Sequence, residues 1–450
     1  MLKELVADKK YYIFLVLIII FCTILNYEAN LMNGIVPYYE NFSLFFKNGF
    51  RYNSAFLNNI YTWPMWGYGF IILIFKYKIL IILAQQSLTI STIILVRQFL
   101  RTKISPISFK IFSIFIFFAL PWFFFHTSLW PYSFSANLLV ISILYLSKAV
   151  DNYNLRYLLF SGSLWGIMLN LRSDYFYLTF LIFFILIYEF SSKIIFVKKL
   201  KFAFIWTLTS IIMLIPWGFY SYKYSNKFSL VSTNTGHVIY ISLGQLPNNK
   251  WKITPSDDDS SMYNVIQKNN QHFEHSLTSK SNKLLKEKFF QIVKNDPSEY
   301  LKKCINNTIS LFLNPFYIGS FHEKGYSISN LKKIKIKGQI LFNERKYLEL
   351  FEFLFNIFGI NFLLTLLSYM IGTVVFYIGL FGLVNNFLFK RSFFKSLSLI
   401  RIITVVFIYQ IILNTFAYNL PIYTTNIYLL ILILNSFLID WYLLRRKSSI

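Results

Sequence analysis

Acidic residues are scarce wherever this chain leaves its apolar stretches, and two of them fall close together: Glu28, just beyond the first apolar run, and Glu40, within the loop that follows. A carboxylate held at a membrane surface can draw a proton from a hydroxyl, so each is a candidate general base, with a solvated interfacial carboxylate as the plainer reading. Leu169-Asn170-Leu171-Arg172-Ser173-Asp174-Tyr175 falls at a hairpin between two apolar stretches. An arginine at that depth is costly unless it meets an anion, and its planar fork suits a lipid phosphate. The alternative is an Arg172–Asp174 or headgroup contact that only anchors the helix end. Further on, Phe228-Ser229-Leu230-Val231-Ser232-Thr233-Asn234-Thr235-Gly236-His237 follows a helix that ends in Ile215-Pro216-Trp217. A polar, glycine-bearing turn in that place is suited to face a membrane-borne substrate.

Other constellations carry less. His272 and His275 stand three apart without further ligands nearby, so a solvated helix face explains them better than a metal. Asp257-Asp258-Asp259 could offer oxygens to a divalent cation, but it lacks the alternation of a calcium loop and precedes a helix, which favours capping. His126, beside Trp130-Pro131-Tyr132, reads as a structural histidine or as a donor to a sugar or pyrophosphate. Phosphate-binding glycine loops, dinucleotide fingerprints, nucleophile elbows and cysteine–histidine metal spacings do not occur in the sequence.

The elements that must position these residues are set by composition. The chain is 56% hydrophobic and 20% aromatic, with 14% charged residues, a balance that belongs to a multi-pass membrane protein. Apolar runs at Tyr11–Tyr27, Ile79–Phe99, Phe109–Phe125, Phe134–Leu146, Arg156–Leu171, Tyr175–Phe190, Phe202–Tyr220, Ile360–Phe389, Ile400–Phe416 and Ile422–Leu444 predict about ten spans. Lysines and arginines gather in alternate short loops, from Lys3, Lys9 and Lys10 to Arg445, Arg446 and Lys447. With that side cytoplasmic, both termini are inside, and the first loop, 28–64, faces outward together with a long excursion at 222–346. The net charge of +25 is spread over loop ends. It fits topology and anionic lipid, not nucleic acid. Cys22 and Cys304 are the only cysteines, too few for a disulfide framework.

Within 28–64, Tyr38, Phe42, Phe45 and Phe46 recur at helical spacing, as in a helix lying in the membrane interface. In the excursion, Phe228–Leu246 alternates β-branched and polar residues and predicts short strands around the Thr235-Gly236 turn. Amphipathic helices follow over Tyr263–Leu277, over Leu284–Val293 and after Asp296-Pro297. The expected fold is therefore an all-α polytopic membrane protein of about ten transmembrane helices with a small mixed α/β extracytoplasmic segment. Its parts are an N-terminal membrane module at 1–221, a loop domain at 222–346 and C-terminal membrane helices at 347–450.

Several pieces resemble the GT-C superfamily of integral-membrane glycosyltransferases, in the bacterial branch similar to aminoarabinose and protein-mannosyl transferases that use polyprenyl-phosphate sugars. The first outward loop holds an interfacial helix ending in Asn48-Gly49-Phe50, then Pro64-Met65-Trp66-Gly67-Tyr68. Ser161-Gly162 through Gly166 to Leu171-Arg172 is similar to the family's glycine-then-arginine span. Pro216-Trp217, then Val231-Ser232-Thr233-Asn234-Thr235-Gly236 and Gly244, and finally Asn419-Leu420-Pro421-Ile422, are its most specific pieces. The chain departs from the pattern where Asn33 or Val36 stands for the expected aspartate, Tyr220 for an arginine after Pro-Trp, and Ala417 or Tyr418 for an arginine before Leu-Pro.

The resemblance implies sugar transfer from a polyprenyl-phosphate lipid to a lipid, glycan or protein hydroxyl on the outer face of a bacterial inner membrane. Glu40 or Glu28 would activate the acceptor, and Arg172 and Lys223 would neutralise the leaving phosphate. Asp174 and the Ser232, Asn234, Gly236 and His237 turn would wall the sugar pocket. No cofactor is called for, and a divalent cation is left open. Polymerase or ligase activity on lipid-linked glycans, or their flipping, are the rival readings.

Overall fold

The computed structural model describes residues 9–33, 44, 47, 65–189, 195–257, 259–269, 275–316, 337, 341, 346–389 and 398–448. Its helices are α1 Lys9–Asn33, α2 Gly67–Phe75, α3 Lys78–Arg101, α4 Pro106–Phe117, α5 Leu120–Thr127, α6 Pro131–Asn152 and α7 Leu155–Leu171. There follow α8 Phe176–Glu189, α9 Phe196–Ile212, α10 Ile215–Ser225, α11 Thr235–Ser242, α12 Ser260–Asn269, α13 Ser279–Asn295 and α14 Pro297–Leu313. The last are α15 Tyr347–Phe358, α16 Ile360–Phe389, α17 Ser398–Phe416, α18 Pro421–Thr425 and α19 Tyr428–Ser448.

Four helices among the described residues are long and apolar enough to cross a bilayer: α3, α6, the Leu366–Val384 part of α16, and α17. The pair α9 and α10 makes a fifth if its 44° bend is counted within one span. Ten full spans are therefore not found among the described residues. The apolar runs are real but are cut short. Phe109–Phe125 is divided between α4 and α5 just ahead of Pro121, and Phe202–Tyr220 bends ahead of Pro216. At both places proline sits in the first turn, where its missing N–H costs nothing, and a straight continuation would lose a backbone bond. The apolar parts Pro106–Phe117, Ser173–Tyr188 and Tyr428–Leu444 are shorter pieces of the same kind.

The expected strands at Phe228–Leu246 are a second correction, since the described residues contain none. Alternation of residue types suggested a period of two. Burial follows the helical period instead: Gly236, His237, Tyr240 and Ile241 face inward from α11. Packing decides here over β-propensity. Gly236 shows why, because a Cβ at that position would lie 2.0 Å from the Asn282 carbonyl oxygen on α13. Its backbone N–H also donates to Asn282 Oδ1 at 2.5 Å. Tyr240, Ile241, Leu243, Ile253, Met262, Ile266, Leu285 and Phe289 then close a small separate core in the excursion. Asp259 starts α12 by accepting from the Met262 N–H at 2.7 Å, and Thr278 starts α13 by accepting from the Ser281 N–H at 3.2 Å.

In the membrane module α7 is gripped between α6 and α9. Gly162 and Gly166 lie one turn apart on the face toward α9. A Cβ at Gly162 would meet the Trp206 carbonyl oxygen at 2.9 Å, and one at Gly166 would meet the Ser210 carbonyl oxygen at 2.5 Å. Small residues at this spacing let two helix backbones approach without side chains between them. Across α7, Ser142 and Ser161 exchange hydrogen bonds with each other's carbonyls at 2.9 and 2.8 Å. The interfacial helix expected beyond Asn33, with Glu40, lies outside the described residues, and Glu28 falls within α1. Arg97 is buried in α3 with its guanidinium 3.5 Å from the centroid of the Tyr11 ring.

Gly166→Ala is expected to lower thermal stability in detergent by about 1–3 kcal/mol through overpacking. Gly382→Ala, where the nearest neighbour is the flexible Leu438 Cδ2 at 3.3 Å, is expected to cost less. Equal melting shifts for the two variants would show that the α7–α9 contact is not tight.

Candidate functional site

α7 ends at Leu171, and Arg172 leaves the helix in extended conformation at φ −146° and ψ 106°. The next three residues, Ser173–Tyr175, form a single 3-10 turn that brings Asp174 back alongside the Arg172 side chain. Arg172 Nε donates to Asp174 Oδ1 at 2.9 Å, and Nη2 donates to Oδ2. This two-pronged pairing fits a guanidinium that is 6% exposed. Aromatic rings close over the cation: its central carbon lies 4.2 Å from the Tyr132 centroid, 4.9 Å from that of Tyr423 and 5.5 Å from that of Tyr175. Nη1 is buried and has no hydrogen-bond partner among the described residues.

Arg172 and Asp174 line a cavity of about 260 Å³, near the lower end of ligand-pocket sizes. Five tyrosines share the lining: Tyr132, Tyr177, Tyr409, Tyr418 and Tyr423. Polar edges come from Ser173, Ser232, Asn234 and Thr235. Ser173 and Ser232 hydroxyls lie 2.8 Å apart, and Ser232 donates to Asn234 Oδ1 at 2.9 Å, which ties the chain leaving α10 to the end of α7. Tyr409 Oη donates to the Asp174 carbonyl at 2.5 Å and so fixes the turn from the side of α17. Rings with apolar faces, hydroxyls and one amide around a buried cation suit a polar ring compound that carries an anionic group.

A second assembly holds the far wall. The segment after α17 contributes Ala417, Tyr418 and Tyr423 to the cavity, and side chains of the excursion clasp that segment. Gln245 donates to the Asn419 carbonyl and accepts from the Asn419 N–H, both at 2.9 Å. Asn307 Nδ2 donates to Gln245 Oε1 at 3.0 Å and to the Asn414 carbonyl at 3.2 Å. Asn414 Oδ1 accepts from the Leu420 N–H at 3.1 Å. Lys303, fully buried, donates to the Phe416 and Ala417 carbonyls at the end of α17. A cation there complements the partial negative charge of the helix C-terminus.

The sequence-derived candidates separate on this geometry. Arg172, Asp174, Ser232 and Asn234 are brought together at one cavity. Lys223 is not among them: it is exposed in the last turn of α10, with its ammonium 5.1 Å from the Tyr224 centroid. Gly236 is a packing residue against α13, and His237 turns away into the excursion, where Nε2 meets Asp257 Oδ1 at 2.8 Å. The tyrosines are what residue-by-residue reading misses. Trp130-Pro131-Tyr132 contains one of them and Asn419-Leu420-Pro421-Ile422 lies between two more, Tyr418 and Tyr423, but Tyr409 lies inside an apolar span and carries no local signal. His126, a structural or ligand-binding residue by sequence, is buried with Nδ1 2.7 Å from Ser133 Oγ. Among the described residues no group of three or more acidic, histidine or cysteine side chains is placed to hold a metal.

The imidazole of His275 accepts from the Leu277 N–H through Nδ1 at 3.2 Å, a bond that only the neutral ring can make. Burial, then the neighbouring His237, hold its pKa below the usual 6.5. The unfolded chain therefore binds a proton below pH 6.5 that the folded one refuses, so stability rises with pH up to that value and is lost on acidification. Asp257, lowered by its hydrogen bond to His237, adds a separate loss as pH falls below 3.8. Melting curves from pH 7.5 downward are expected to show the first decline, and His275→Asn, which keeps an acceptor but cannot be protonated, is expected to flatten it. Compared with protein-family models, characterised proteins and solved structures, the chain matches none.

Proposed function

We propose that this protein is an integral-membrane glycosyltransferase, similar to the GT-C superfamily, which moves a sugar from a polyprenyl-phosphate donor to a lipid, glycan or protein hydroxyl on the extracytoplasmic face. The observation that carries this reading is Arg172: a buried guanidinium with one nitrogen unpartnered among the described residues, lining a tyrosine-walled cavity beyond the end of a membrane helix. Arginine is suited to phosphate because its donors lie in one plane and stay charged.

In the reaction, an acceptor oxygen forms a bond to the anomeric carbon while the bond from that carbon to the phosphate oxygen breaks. The leaving lipid phosphate gathers negative charge, and Arg172 supplies the donor that stabilises it. Asp174 fixes the fork, so that Nη1 is the edge left for the ligand. Ser232, Asn234 and the tyrosine faces hold the sugar. The proton of the acceptor goes to a carboxylate, for which Glu40 and Glu28 remain the candidates drawn from sequence, beside Asp174 in the cavity itself. With Lys223 away from the cavity, the phosphate role rests on Arg172 alone among the described residues.

Arg172→Lys keeps the charge and loses the fork. It is expected to lower transfer about 100-fold, the scale of losing one preorganised donor, in a protein that still folds because the lysine keeps a cation beside Asp174. Lipid analysis of a deletion strain complemented with each variant checks this. Accumulated polyprenyl-phosphate sugar, with one sugar missing from a surface glycan, is the expected result for the deletion and for Arg172→Lys. Accumulated complete lipid-linked oligosaccharide would overturn the reading in favour of a polymerase, ligase or flippase. In the same assay Glu40→Gln, Glu28→Gln and Asp174→Asn identify the base by which one loses activity.

A further inference from the structure

Helix α14 is amphipathic in the wrong sense for water. Its inward face carries Glu299, Lys303, Cys304, Asn307 and Leu311, whereas Leu301, Ile305, Ile309 and Leu313 point outward at 59%, 52%, 53% and 63% exposure. Those four recur every fourth residue and form one stripe along the helix. Beyond Lys302, every exposed residue of α14 is apolar. An aqueous surface helix would show the reverse arrangement, with its charged and amide side chains outward and its isoleucines covered.

Three further observations bear on what covers the stripe. The polar face is satisfied inward: Lys303 and Asn307 bond to carbonyls at the end of α17, and Thr308 Oγ1 lies 3.1 Å from Thr415 Oγ1. The C-terminal carbonyls of α14, which no helical N–H can reach, are taken by tyrosine hydroxyls of α16: Tyr377 Oη donates to the Phe312 carbonyl at 3.1 Å and Tyr369 Oη to that of Leu313. Internal bonds to these two carbonyls are what a helix end needs where water cannot supply them. Finally, α16 itself presents Leu366, Leu367, Met370, Val374 and Phe381 outward from a candidate membrane span. The C-terminal end of the α14 stripe thus abuts a candidate membrane span that itself presents apolar side chains outward.

We propose that α14 is immersed in the outer part of the bilayer, its Leu301–Leu313 stripe covered by lipid acyl chains. It enters from the charged end at Lys302 and reaches deepest at Leu313, eleven residues or roughly 16 Å further along the axis. The excursion is then not an aqueous domain resting above the membrane; its last helix is part of the membrane body. This holds whatever reaction the cavity performs.

Nitroxide labels at Leu301→Cys, Ile305→Cys, Ile309→Cys and Leu313→Cys, in a full-length C22A/C304A background reconstituted into phosphatidylcholine–phosphatidylglycerol vesicles, test it. The ratio of oxygen to nickel-chelate collision rates is expected to rise severalfold from position 301 to position 313, with Lys294→Cys as the water-exposed reference. Equal nickel-chelate access at all four positions would overturn the proposal by placing the stripe in water. Protection from both probes would overturn it by placing protein, such as a second copy of the chain, over the stripe. Ile309→Lys in the native-cysteine chain gives an independent reading: loss of folded protein from the membrane fraction is expected, and wild-type yield would count against immersion.

Discussion

A guanidinium buried beyond the end of an apolar helix has to be neutralised and hydrogen-bonded before anything else there can be stable. Arg172 meets that requirement through Asp174, two residues on, and through the faces of Tyr132, Tyr175 and Tyr423. An ion pair removed from water gains from mutual attraction only when its geometry is good and its remaining donors are used. The extended Arg172, the 3-10 turn and the Tyr409 bond to the Asp174 carbonyl all serve that geometry. The α7–α9 glycine contact and the Trp66–Asn170 bond at 3.0 Å fix the helix end on which the pair stands. One nitrogen is left over, and it belongs to a cavity-lining residue.

The cavity has two kinds of wall. One is the membrane module, where α6, α7 and α17 meet. The other is the chain between α10 and α11, together with the segment that links α17 to α18. Gln245, Asn307, Asn414 and Asn419 join the excursion to that segment through a closed set of amide bonds. The Gln245 and Asn414 side chains each both donate and accept, so removing either would strand buried groups on its partners. The excursion and the bundle thereby act on the cavity as one unit, although nearly 120 residues separate Asn307 from Tyr423 in sequence order, as counted along the chain.

Much of this was legible in residues. Composition gives a helical membrane protein, and the Arg172–Asp174 spacing offers either a phosphate ligand or a local ion pair. The structure has the ion pair, with one nitrogen to spare. Ser232 and Asn234 line the cavity. Gly236 and His237, two residues further, do not, because the segment is a helix and points them at α13 and Asp257. Periodicity failed there because β-branched residues in a short helix look like a strand until the partner helix is known. The span count failed for a related reason: apolar content does not reveal where prolines bend a run. Tyr409 could not be read at all, since an aromatic residue in a span is ordinary until its hydroxyl is seen on the Asp174 carbonyl.

The closeness of Arg172 and Asp174 along the chain also bears on how the protein is made. Tyr132 precedes the pair, but Tyr409 and Tyr423 are synthesised more than two hundred residues later. During that interval the arginine stands at the end of α7 without its later aromatic cover. A counter-ion two positions away travels with it out of the ribosome and neutralises it at once, whereas a partner drawn from α17 or α18 would leave a bare cation waiting through most of translation. The local pair is thus a chaperone written into the sequence, and the cavity it guards comes into being only when the last helices arrive.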